Sequence, residues 1–227
     1  MSATALWPAR FPLYALMEKR ATMGRAAFES EFMCNPHDPS LCEWDETLFQ
    51  HPSLWFDAWP LAPTIKTMAC DPSKGRGDKR SDDSAIVMLA RDETGVLYCD
   101  VDARNDRGAE VITDTVCEWN RVFRPERIGF ETNQFQELFL ILFRQRATPA
   151  LPIPIEPLDN RVNKMVRIRR LGSYFTQRLI RFKRGSPGAA KAVQQAKDFR
   201  GDSKDHDDIL DSLEMAIRVM VALWNNS

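Results

Sequence analysis

The chain predicts a mixed α/β fold: three antiparallel strands, then alternating helix and strand, in one sheet flanked by helices. Three observations lead there. Ile65–Asp71, Ser84–Arg91 and Val96–Asp102 are apolar runs separated by short polar links, as in an antiparallel meander. After them, helical and extended patterns alternate to the end of the chain. Hydrophobic residues make up 44% of 227, enough for a substantial core.

Each element has its own signal. Pro12 to Met33 carries Leu13, Leu16, Met17, Ala26, Phe28 and Phe32 at helical spacing. After Pro36 the pattern becomes irregular, and residues 1–63, with four of the six tryptophans, read as an arm or linker ahead of a domain at 64–227. Pro72 and the Lys74–Gly77 loop stop the first strand, and Asp92-Glu93-Thr94-Gly95 makes the turn between the second and third. Ala109–Phe123 places Val111, Ile112, Thr115, Val116, Trp119 and Val122 on one helical face. Arg127–Glu131 reads as a short strand, Gln134–Arg146 as an apolar helix, and Pro152–Leu158 as an edge strand because of its prolines. Asn163–Phe175 is a basic helix, Leu179–Phe182 a strand, and Ala189–Phe199 and Asp208–Leu223 the last helices.

Composition narrows the function. The net charge is −1, but residues 161–200 hold 12 Lys or Arg against Asp198 alone, which is +11 there and −12 elsewhere. Such asymmetry suits an anionic partner. Five cysteines, an odd number with no Cys-x-x-Cys pair, fit reduced thiols in a cytoplasmic protein. No apolar run approaches the roughly 20 residues that span a bilayer, and Met1 to Phe11 has no signal-peptide core. No membrane association is expected.

Three acidic signals stand out. Asp71 ends the first strand and Glu131 ends the fourth. The third is the head of the last helix, His206-Asp207-Asp208-Ile209-Leu210-Asp211. Acids at a helix N-terminus suit its macrodipole without forming any site, but Asp211 lies a turn further in. Carboxylates gathered in one place repel and need cations or protons. Such a set can hold two Mg²⁺ or Mn²⁺ ions about 3.5–4 Å apart, the arrangement that clamps both oxygens in phosphoryl transfer. Apart from His206 the histidines are His37 and His51, so a zinc site has little support.

These pieces resemble a known family. Ala69-Cys70-Asp71-Pro72, Asp83-Ser84-Ala85-Ile86-Val87, Glu131-Thr132-Asn133-Gln134-Phe135-Gln136, Lys164 with Arg167-Ile168, and His206 to Leu213 stand in the order of the nuclease domain of the large terminase subunit of tailed bacteriophages. Trp7-Pro8-Ala9-Arg10-Phe11 and Phe28 to Phe32 are similar to the segment joining that family's ATPase to its nuclease. The resemblance implies an RNase H-like fold and two-metal cleavage of concatemeric double-stranded DNA during packaging. It implies Mg²⁺ or Mn²⁺ on Asp71, Glu131 and Asp208, with Asp211 as a further ligand. Partners would be an ATPase domain or chain, a small terminase subunit and a portal protein, in the cytoplasm of a bacterial host. A Gly-x-x-x-x-Gly-Lys-[Ser/Thr] motif does not occur, so no ATPase activity is expected of this chain.

Other residues have two readings. Asp83 could reach the site or be a solvated turn acid. Asp207 caps the helix or stands behind the ligands. His206 contacts phosphate or only precedes the helix. Lys164, Arg167 and Arg170, three residues apart, would form a basic stripe on DNA, and Lys183 and Arg184 would sit on a basic loop near the substrate. A Holliday-junction resolvase or transposase-like nuclease would share the carboxylates. A non-catalytic DNA-binding packaging module would retain the fold alone.

Overall fold

The computed structural model of the chain describes residues 5–23, 28, 31–32, 42–72, 84–104, 108–131, 136–149, 152–200 and 207–225. The Lys74–Gly77 loop, Asp83, residues 132–135 and His206 lie outside them. The chain divides into two compact units, Met1–Cys42 and Glu43–Ser227. The first contains helix α1 (Leu13–Met23) and a ring cluster in which Phe28 stacks on Phe32 at 5.2 Å and Phe11 meets Phe32 edge-on at 5.5 Å.

The second unit is built on a seven-stranded sheet. Its strands are β1 (Trp55–Phe56), β2 (Ile65–Asp71), β3 (Ser84–Arg91), β4 (Leu97–Arg104), β5 (Arg127–Glu131), β6 (Ile155–Leu158) and β7 (Ile180–Lys183). They lie in the order β1-β7-β4-β3-β2-β5-β6. The β2–β3–β4 meander is antiparallel as predicted, and all other pairings are parallel. The turn before β4 is held by Asp92, whose carboxylate accepts from the Thr94 and Val96 amides at 2.9 and 3.0 Å.

Helices cover both faces. Met68, Cys70, Ile86 and Met88 pack with α2 (Ala109–Phe123) and α3 (Gln136–Arg146) through Ile112, Val116, Phe139 and Phe143. Ala69, Ala85, Val87 and Leu89 point the other way, as the two-residue strand period requires. They meet α6 (Pro187–Asp198) and α7 (Asp208–Asn225). Helix α7 is buried along most of its length, including its acids. Glycine lets the layers close. A Cβ at Gly129 would stand 2.8 Å from Leu158 and 3.0 Å from Val219 of α7, and one at Gly188 of α6 would stand 2.1 Å from the Val101 carbonyl.

Two expectations are corrected. Residues 43–63, predicted as part of an arm, belong to the second compact unit. Trp44 stacks on Phe199 at 5.1 Å, Phe49 meets Phe175 edge-on, and β1 extends the sheet beside β7. Burial of these aromatics outweighs the irregular pattern that hides them in sequence. The predicted helix Asn163–Phe175 is two helices, α4 (Lys164–Arg169) and α5 (Leu171–Thr176). The break at Arg170, whose amide bonds back to the Arg167 carbonyl at 3.1 Å, lets both Arg167 and Phe175 be buried.

Candidate metal centre

Strands β2 and β5 are parallel neighbours with Cys70 opposite Phe130, so Asp71 and Glu131 end side by side. Thr67, two pleats before Asp71, donates its hydroxyl to the Ala216 carbonyl at 3.0 Å. Ser212 donates to the Ala85 carbonyl at 3.3 Å, and Ala85 is paired with Asp71. These bonds, one helical turn apart, pin α7 to the face that carries both strand-end acids. The first turn of α7 therefore overhangs the strand ends. Carboxylate oxygens of Asp71, Glu131 and Asp211 lie within 4.8 Å of one another.

This crowding shifts protons. Burial pushes the Asp71 carboxyl well above the usual carboxylate range, and Glu131, through charge and a hydrogen bond, pushes the same way, followed by Asp208 and Asp211. Asp211 is pushed up to about 6, first by burial; Arg167 and Lys164 pull it back, while Glu131 and Glu214 add to the rise. Asp71 and Glu131 are half-buried and Asp211 is buried. The cluster is short of positive charge and has only oxygen donors, the chemistry that fits Mg²⁺ or Mn²⁺.

Helix α4 lies along the other side of α7. The Lys164 ammonium is 2.6 Å from Asp207 and 2.9 Å from Asp208. Burial works against the Lys164 charge, but Asp208 and Asp207 outweigh it and hold its pKa above the ordinary range. Arg167, 3% exposed, pairs with Asp211. Arg170 reaches Glu214 at 3.2 Å. The predicted solvent-facing basic stripe is thus corrected: it meets the acidic face of α7, and Arg167 has no surface to offer DNA. Attraction between matched three- and four-residue spacings on two helices turns it inward.

Lys183 and Arg184 sit elsewhere. Lys183 donates to the Asp57 carbonyl at 2.9 Å and lies over the Phe56 and Trp59 rings. Arg184 pairs with the Asp57 carboxylate at 2.8 Å with its side chain 56% exposed. Strand β7 runs parallel to β2, three strand spacings away, with Phe182 level with Thr67, so Lys183 stands level with Met68, on the sheet face opposite Asp71, and Arg184 follows it level with Ala69.

Sequence reasoning missed three neighbours. Asn160, just after β6, donates to Glu131 at 2.9 Å and accepts from Arg218 at 2.7 Å. Glu214 faces Arg167, Arg170 and Arg218. The Asp211, Glu214, Arg218 spacing was visible as one helical face. Asn160 had no local signal.

The family described as Terminase RNaseH-like domain matches residues 68–219. The chain belongs to this family. The terminase RNase H-like fold agrees with solved structures. The large terminase of bacteriophage HK97 aligns with a TM-score of 0.56 at 10% identity over 78% of this chain. The large terminase nuclease of thermophilic phage G20c, solved with bound magnesium, aligns with a TM-score of 0.54 at 15% identity, covering 71% of this chain and 84% of that one. At these identities the likeness is one of fold. This chain spans 43% of the length of the HK97 protein. Among curated proteins none matches it. No helix among the described residues is long and apolar enough to cross a membrane.

Proposed function

We propose that this terminase-family chain is a divalent-metal-dependent endonuclease of double-stranded DNA, acting on concatemeric viral genomes during packaging. The observation that carries the reading is the convergence of Asp71, Glu131 and Asp211 at the strand ends, with Asp71 and Asp211 holding protons more tightly than free carboxylates. Asp208, held by Lys164 beside this trio, completes the proposed ligand set. Two Mg²⁺ or Mn²⁺ ions bound there would supply the positive charge that phosphodiester hydrolysis requires. Asp71 would be one of the residues that hold the ions, its carboxylate within 4.8 Å of those of Glu131 and Asp211. Glu131 and Asp211 approach from the neighbouring strand and from the helix, so the chain offers ligands from three elements. Arg184, whose side chain is 56% exposed, and Lys183 beside it are the cations proposed to meet the DNA backbone.

An ATPase domain or chain, a small terminase subunit and a portal protein are the partners this reading entails, in the cytoplasm of a bacterial host. Plasmid nicking tests it. Wild-type protein should cut in Mg²⁺ or Mn²⁺, without ATP, and stop in excess EDTA. Purified Asp71→Asn should fold and not cut. Cutting that survives EDTA or the Asp71→Asn change would refute the reading.

A further inference from the structure

From the geometry around Glu131 we infer that Asn160 is a positioning residue for the metal centre, and that it acts by fixing the Glu131 carboxylate. The inference rests on the metal-dependent reading above. Asn160 follows the last residue pair of β6, the strand beside β5, and so stands at the same sheet end as the acids. Its side-chain NH₂ donates to Glu131 Oε1 at 2.9 Å and its carbonyl accepts from Arg218 Nη2 at 2.7 Å. The chemistry at both ends specifies the residue. A carboxylate only accepts and a guanidinium only donates, so the bridge between them needs one donor and one acceptor. An amide supplies both in one plane. Turned over, it would oppose acceptor to acceptor at Glu131 and donor to donor at Arg218, so its orientation is set.

The bridge is part of a longer run of polar links. Arg218 Nη2 lies 3.5 Å from Glu214 Oε2. The Glu214 carboxylate is 3.9 Å from Arg167 Nη1, which is 2.7 Å from Asp211. The path Glu131, Asn160, Arg218, Glu214, Arg167, Asp211 thus begins and ends on members of the carboxylate trio. One is carried by a strand and the other by a helix. The path holds their separation. Asn160 is its one neutral link and its one contact to the strand. By occupying one side of Oε1 it restricts the rotation of Glu131 and leaves the remaining lone pairs to a metal. Partners of this kind outside a metal's own ligands change affinity by about 10–100-fold when removed.

Calorimetric Mn²⁺ titration of the full chain, with thermal melts of the same samples, tests the inference. Asn160→Ala should weaken Mn²⁺ binding about ten-fold while the metal-free protein melts close to wild type, since Asn160 is half-exposed. Arg218→Met keeps the apolar stem of Arg218 but frees the amide to turn, and should weaken Mn²⁺ in the same direction; it carries the test if Asn160→Ala fails to fold. Asp71→Asn is the control and should remove binding. If the control loses Mn²⁺ but the folded Asn160→Ala protein binds it as wild type does, the inference is overturned and the metal reading stands. If wild type and Asp71→Asn bind Mn²⁺ alike, or not at all, both fall.

Discussion

Arg167 Nη1 lies 2.7 Å from Asp211 Oδ1, and both side chains are almost wholly buried, at 4% and 2% exposure. This pair joins α4 to the first turn of α7 directly beneath the carboxylate cluster. It sets Asp211 apart from Asp208, whose partner Lys164 is more open to solvent. It also decides what loss of either residue does.

Removing Arg167 strands Asp211 in the interior, while Glu214 keeps Arg170 and Arg218. Arg167→Ala should therefore cost about 3–5 kcal/mol of stability, the usual loss when one partner of a buried pair is deleted. Urea denaturation checks this. A loss below about 1 kcal/mol would mean that the pair is solvated in solution.

Asp71→Asn should separate activity from stability. The amide cannot add negative charge to Glu131, Asp208 and Asp211, so the variant should lose DNA cleavage yet melt, without metal at pH 7.5, no lower than wild type. Nicking assays and thermal melts on one preparation test both halves. A variant melting well below wild type would mean that the Asp71 charge stabilises the fold.

The pH dependence follows from the same shift. Asp71 and Asp211 have raised pKa values in the folded chain, Asp211 to about 6, against about 3.9 for an unfolded aspartate. Below pH about 4 both states are protonated and the two groups cost nothing. As pH climbs towards 6 the folded state keeps protons that the unfolded state has released, so stability falls. In EDTA, the melting temperature of Asp71→Asn minus that of wild type should therefore grow from pH 4 to pH 7.5. Mn²⁺, which must displace those protons, should raise the wild-type melt more at pH 7.5 than at pH 5. A difference that shrinks with pH would reverse the sign and contradict the shift.

The DNA path can be read from salt dependence. For duplex DNA, each cation withdrawn from a phosphate flattens the slope of log affinity against log salt by about 0.9. Replacing Lys183 and Arg184 together with alanine should reduce the slope by about two units, similarly for unrelated sequences. Fluorescence anisotropy across a salt series measures it. An unchanged slope would place the DNA away from the β1–β7 edge.

The sequence by itself determined the strand-end acids, the meander and the acidic head of the last helix. Those are local properties: a two-residue period, a turn at Asp92 to Gly95, and Asp208 and Asp211 on one helical face. A family pattern spread over five short motifs reinforced them. Tertiary structure alone decided the neighbours. Nothing near Arg167 in the chain shows that it faces Asp211, 44 positions on, rather than a phosphate. Nothing near Asn160 shows that its amide spans Glu131 and Arg218, because those partners come from another strand and another helix. Residues 43–63 look like an arm in sequence for a related reason. The worth of Trp44 and Phe49 lies in the Phe175 and Phe199 surface they bury, and that surface exists only once α5 and the end of α6 have packed. Periodicity reports which face of an element is apolar or charged; only packing decides what that face meets.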